Sequence, residues 1–196
     1  MKQAEGGRRK AEGKEKIEVR LSGIRSGGPM CPPDWMQKII SKTLRFEKAK
    51  LWVISVLITN NREIRRINKK FLNHDRVTDV IAFNLGCNGS TQGSAPTRIC
   101  KPRRGGPSCP PTYGDIIVSA QMARSVSKKL GIPFKQELAR YVVHGVLHLL
   151  GYRDKTVKDR KRMWKKQEHV IARLHSSRSN LYVPYRLLRR PSGSSQ

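Results

Sequence analysis

The chain has 196 residues, with 41 Lys+Arg against 14 Asp+Glu, a formal net charge of +27 and a hydrophobic share of 37 %. That length fits one domain with tails, the low apolar share places part of it outside a core, and no run approaches the roughly 18 apolar residues of a membrane span. Such a charge surplus attracts polyanions, so RNA, DNA or an anionic membrane surface are the partners to weigh against a merely solubilising surface; because both termini and a long loop share the bias, nucleic acid is favoured.

Residues 1–33 are rich in Gly, Lys, Arg and Glu with little periodicity, which predicts a basic, disordered tail. They contain no apolar stretch of the kind a secretory signal needs, and Glu5, Glu12, Glu15 and Glu18 speak against an acid-poor transit peptide. The expected location is therefore the cytoplasm, with Cys31, Cys87, Cys100 and Cys109 reduced. None of these cysteines forms a C-x-x-C pair, and their spacing fits no structural zinc pattern.

A domain is expected over 34–175. Residues 34–50 place Trp35, Ile39, Ile40 and Leu44 at helical spacing. LWVISVLIT, 51–59, is β-branched and apolar and reads as a buried strand. Asn60 then caps a second helix over 60–73 whose apolar positions are Ile64, Ile67 and Phe71. TDVIAFNL, 78–85, is a second strand, followed by a Gly/Pro/Ser-rich loop over 86–113, a length that marks a functional or disordered segment. DIIVSAQ, 115–121, is a third strand running into a helix that ends at Leu130 before the breaker GIP. Pro133 sits near the start of the next helix and Gly151 follows its last apolar residue. Thr156 and Asp159 form a near capping box for a last helix, 156–175, with Met163, Val170, Ile171 and Leu174 on one face and Lys/Arg on the other. Trp164 is expected to pack. Residues 176–196 form a basic, Ser-rich tail. Strands alternating with helices predict an α+β fold: a small mixed β-sheet packed with helices.

The chemistry concentrates in VVHGVLHLLGYRD, 142–154. His144 and His148 lie four apart on an apolar helix, so both rings share one face and can converge on one ion. Asp154 follows the helix stop by three residues, where the chain can fold back. Two His and one acid leave a coordination position for solvent, the pattern of a catalytic rather than a structural zinc site. The plainer alternative is two satisfied core histidines and an ordinary loop acid. The zinc-protease motif H-E-x-x-H is excluded in its usual form, because Gly145 stands where the general base should be. A mid-helix glycine costs about 1 kcal/mol relative to alanine and lets another backbone or a substrate approach closely.

His144 to Tyr152, HGVLHLLGY, resembles the H-G-x-L-H-L-x-G-Y signature of the YbeY endoribonucleases. Three further pieces follow in that family's order: NKKFLNHDRVTDVIAF (68–83), GDIIV (114–118) and Glu137-Leu138-Ala139. The resemblance covers about residues 35–175. It implies a metalloprotease-like layout with the metal site on a helix, one Zn2+, and single-strand-specific cleavage of RNA in rRNA maturation and ribosome quality control.

The chain departs from the family in two places. The family's third ligand is usually a histidine, and Asp154 occupies that position. A carboxylate is a legitimate zinc ligand; its charge should raise the pKa of bound water, and its harder oxygen also suits Mn or Fe. Second, the family usually carries Arg after the aromatic of its first segment, where this chain has Leu72. Arg76 is the local substitute for steadying developing charge, with Arg153 and Lys155 beside the metal as substrate contacts. Arg76 is equally readable as a solvated loop charge. Asp75, Thr78, Asp79 and Asp115 are expected to tie down turns and strand starts, and the basic face from Lys158 to Lys166 would meet phosphates if RNA binds.

The leading expectation is a zinc-dependent endoribonuclease acting on rRNA, with His144, His148 and Asp154 as metal ligands. The nucleophile is either water activated by the ion or a 2′-hydroxyl polarised by it. The alternative is a non-catalytic rRNA-binding assembly factor. A peptidase or a 2-His-1-carboxylate iron oxygenase ranks below both.

Overall fold

A computed structural model describes residues 17–23, 32–49, 52–86 and 112–175. All four cysteines, most of the 86–113 loop and the whole of 176–196 lie outside the described residues. The elements run β1 (Ile17–Gly23), α1 (Pro33–Phe46), β2 (Trp52–Thr59), α2 (Asn61–Leu72), β3 (Val80–Gly86), β4 (Thr112–Ser119), α3 (Ala120–Leu130), α4 (Phe134–Leu149) and α5 (Val157–His175). The four strands form one mixed sheet in the order β1-β2-β4-β3. β2 is parallel to both β1 and β4, and β3 runs antiparallel to β4. The expected α+β class with a small mixed sheet is what forms.

β1 corrects the expectation that all of 1–33 is unstructured. IEVRLSG alternates apolar and polar residues with the period of a strand, and it pairs Ile17 to Gly23 against Trp52 to Ile58. The charged, glycine-rich residues around it dilute that short alternation in any composition reading.

The central strands β2 and β4 are more buried than the edge strand β3, as expected for strands covered on both faces. Successive side chains of β4 split between two clusters. Ile116 and Val118 join the main core with Ile54, Val56 and α4, whereas Ile117 faces Ile64 of α2 and Ile81 of β3. Helix α4 is buried nearly all round, with Leu138, Val142, Val143, Val146 and Leu147 at 0–1 % exposure, so it is the central helix of the fold. α1 contributes Met36, Ile40 and Leu44 to the same core, and α5 contributes Met163, Val170 and Ile171. Two expected core positions are instead on the surface: Phe71 is 59 % exposed and Trp164 41 %. Phe71 sits in the last turn of α2 and meets Phe83 edge-on, with the Lys70 ammonium 5.3 Å from its ring centroid.

The local signals for helix ends are realised. Asn60 Oδ1 accepts from the Glu63 amide at 2.9 Å, and Thr156 Oγ1 accepts from the Asp159 amide at 3.1 Å while donating to its carboxylate at 2.7 Å.

Gly145 explains how α4 comes close to the sheet. A Cβ there would lie 2.8 Å from Ile116 Cγ2 and 3.1 Å from Val80 Cγ2. The close approach foreseen at this glycine is thus by strand side chains. Alanine would gain about 1 kcal/mol of helix propensity, but both obstructing methyls are β-branched and anchored near the strand backbone. Overpacking of that kind costs about 1–3 kcal/mol. Gly145→Ala is therefore expected to lose about 1 kcal/mol net, read as a lower urea midpoint with an unchanged slope.

Candidate metal centre

His144 and His148 occupy the third and fourth turns of α4, half-buried, and their rings meet at 4.6 Å between centroids. Their Nε2 atoms are 3.1 Å apart. Two nitrogens bound tetrahedrally at 2.0–2.1 Å would stand about 3.3 Å apart, so this spacing is that of two ligands of one ion.

The other ring nitrogens are both held. His148 Nδ1 lies 3.0 Å from the Tyr152 carbonyl, and His144 Nδ1 lies 3.0 Å from Gln167 Oε1 on α5. A carbonyl only accepts, so His148 Nδ1 donates, and a neutral ring then presents a bare lone pair at Nε2. Burial, followed by the neighbouring His144, pushes the His148 pKa below its ordinary value, against the opposing pull of Asp154, the Tyr152 carbonyl and Asp79. The neutral form that burial favours is the form that binds metal.

The turn after α4 brings a carboxylate that could serve as a third donor. Gly151 adopts φ 88°, its amide donates to the His148 carbonyl at 2.9 Å and the Tyr152 amide donates to the Leu147 carbonyl at 3.0 Å. These two bonds are a Schellman motif, which needs the left-handed residue that glycine supplies. The reversal brings the Tyr152 carbonyl over His148 and returns Asp154 toward the helix. Asp154 Oδ2 stands 3.9 Å from His148 Nε2, and one donor atom from each of His144, His148 and Asp154 lies within 4.8 Å of the others. The donor set, two imidazoles and a carboxylate, fits zinc and admits Mn or Fe.

Tyr152 also anchors the turn from outside. Its hydroxyl donates to Glu47 Oε2 at 2.6 Å, and Glu47 Oε1 pairs with Lys166 at 3.0 Å. Burial and this carboxylate raise the tyrosine pKa. Lys166 is thereby engaged in a fold contact, whereas Lys158, Arg160, Lys161, Arg162 and Lys165 of the same basic helix are exposed.

The loop between α2 and β3 is fixed from within. Asn68, 3 % exposed, donates through Nδ2 to the Arg76 carbonyl at 2.9 Å, and the Arg76 amide donates to the His74 carbonyl at 3.0 Å. Asp75 pairs with Arg65 at 2.7 Å and Lys69 at 3.0 Å, which holds its carboxyl below the usual range. Asp79 Oδ1 accepts from the Val80 amide and from Thr78 Oγ1 at the start of β3. These are the turn-holding roles foreseen for Asp75, Thr78 and Asp79. The side chains of Arg76, Arg153 and Lys155 are on the surface, the latter two flanking Asp154 in sequence. Asp79 acts on His148 through its charge, a proximity the sequence reading missed. Gln167 and Glu47 were missed as well; neither carries a local motif.

Comparison with known proteins adds a family. The family described as endoribonuclease YbeY matches residues 32–175. A protein named endoribonuclease YbeY from Bacillus licheniformis is 38 % identical over 146 residues, covering 72 % of this chain and 87 % of the relative. Its namesake from Acetivibrio thermocellus is 33 % identical over 153 residues, covering 74 % and 87 %. A solution structure from Thermotoga maritima aligns with 81 % of this chain and 89 % of its own at 21 % identity and a TM-score of 0.48.

Proposed function

The chain belongs to the YbeY endoribonuclease family, and from that premise we propose that it cleaves single-stranded RNA in rRNA maturation and ribosome quality control, using one divalent metal, zinc by preference, held by His144, His148 and Asp154. The observation that carries the metal reading is the pair of Nε2 atoms 3.1 Å apart, with each Nδ1 occupied by another partner. Two lone pairs turned on each other at that distance repel unless a cation or a proton lies between them.

When bound, the ion would supply Lewis-acid polarisation of an attacking oxygen or of the phosphodiester. The chain's own residues do the rest. The Tyr152 carbonyl and Gln167 Oε1 accept from the Nδ1–H groups of His148 and His144, which turns each Nε2 lone pair toward the ion. Arg153 and Lys155 flank the third ligand and are assigned to substrate phosphates. Arg76, on a loop pinned by the buried Asn68, is assigned to the charge that develops on the phosphoryl oxygens. We propose a cytoplasmic site of action and assign the activity to residues 34–175 together with β1. No helix among the described residues is long and apolar enough to cross a membrane. The competing reading is an rRNA-binding assembly factor without cleavage, and it rests on Leu72, 43 % exposed where the family usually has an arginine.

Metal content by mass spectrometry tests the ligand set. Wild type is expected to hold about one equivalent of metal, and Asp154→Ala to bind it about 10–100-fold more weakly or not at all, with cleavage of single-stranded RNA falling in parallel. Full metal in the variant would remove Asp154 from the site.

A further inference from the structure

We propose that Gln167 is a positioning residue for the metal centre: its Oε1 holds His144 in the tautomer whose Nε2 is free to ligate, and the buried Glu137–Arg140–Glu168 network sets the register of α5 that brings it there. The proposal rests on the metal reading above and adds a second layer to it.

His148 has its tautomer dictated by a backbone carbonyl, which cannot reverse its role. His144 has only a side-chain amide, Gln167, at 3.0 Å. An amide presents an acceptor at one end and a donor at the other. With Oε1 toward the ring, His144 Nδ1 carries the proton and both Nε2 lone pairs face one point. With the amide turned over, Nδ1 would accept, the proton would sit on His144 Nε2, and it would bond directly to His148 Nε2 at the observed 3.1 Å. That second arrangement closes the histidine pair on itself and excludes the ion. Gln167 therefore decides between a chelating pair and a self-satisfied one.

What places Gln167 is its neighbour. Arg140 lies one helical turn before His144 on the same face of α4. Its Nε meets Glu168 Oε1 at 3.0 Å and its Nη1 meets Glu137 Oε2 at 3.0 Å, with side-chain exposures of 3 % for Arg140, 3 % for Glu137 and 11 % for Glu168. Moving α5 by one residue would take Glu168 off Arg140 and Gln167 off His144 together. A buried ionic network satisfied in one alignment only is suited to specifying register.

The test compares wild type, Gln167→Glu and Gln167→Met in the full chain. Zinc affinity is measured by competition with a chromophoric chelator, and the visible spectrum of the cobalt-substituted proteins reports ligand geometry. Gln167→Met removes the acceptor and is expected to weaken zinc by about 10–100-fold and to alter the cobalt bands. Gln167→Glu keeps an acceptor and cannot turn over, so its affinity should equal or exceed that of wild type. Wild-type affinity and spectrum in the methionine variant would overturn the proposal, as would a glutamate variant as weak as the methionine one. If wild type binds neither zinc nor cobalt, the metal reading itself fails and takes this one with it.

Discussion

His144→Ala is expected to strip the protein of its divalent metal and to slow RNA cleavage by at least about a thousandfold, while binding of single-stranded RNA stays within a few-fold of wild type. The first effect follows from geometry: one of the two facing Nε2 donors goes, leaving a single imidazole and a carboxylate. The rate effect follows because the ion, once bound, would supply the Lewis-acid polarisation of the attacking oxygen or of the phosphodiester. Binding persists because the exposed cations of α5 and of the loop around Arg153 and Lys155 are untouched, and phosphate contacts are summed over many such charges. Cleavage of a labelled oligonucleotide beside filter binding of the same RNA reads both. Cleavage that survives would refute the metal mechanism. Loss of metal with no cleavage in either protein would favour the assembly-factor reading that Leu72 suggests.

Arg140→Leu should cost about 3–5 kcal/mol of stability, the usual penalty for breaking a buried ion pair from one side. Leucine fills similar space but leaves Glu137 and Glu168 without their shared cation beneath α5. Against a typical total of about 5–15 kcal/mol, that loss brings the chain near unfolding at growth temperature. Urea midpoints of the single variant and of a triple variant, in which Glu137 and Glu168 are also made apolar, separate the causes. The triple variant should recover most of the loss, because no charge is left buried. A single variant within about 1 kcal/mol of wild type would mean that solvent reaches these carboxylates.

What could be read in the sequence was what repeats or is spelled locally. The four-residue spacing of His144 and His148, the stop at Gly151, the return to Asp154 and the box at Thr156 are all short-range patterns, and each has its counterpart in the structure. β1 escaped because six alternating residues are a weak signal inside a run dominated by Gly, Lys and Glu. Phe71 misled because a helical period marks a face without saying whether anything packs on it; α2 ends where its sheet neighbour is an edge strand, so the ring meets Phe83 and solvent. Gln167 and Glu47 could not be foreseen, since their partners are 23 and 105 residues away and no spacing rule links them.

That division between near and distant residues governs how folding and metal binding are coupled. The three donors lie within residues 144–154, a span whose ends cost little entropy to bring together. An unfolded chain therefore retains much of the same chelating reach, and an ion that also binds the unfolded chain stabilises the native state less. What the native state alone supplies is the orientation of those donors, by Gln167 from α5 and by Glu47, just past the end of α1, through Tyr152. With the ion held as proposed, its preference for the folded protein over the unfolded one would be set by side chains that never touch it.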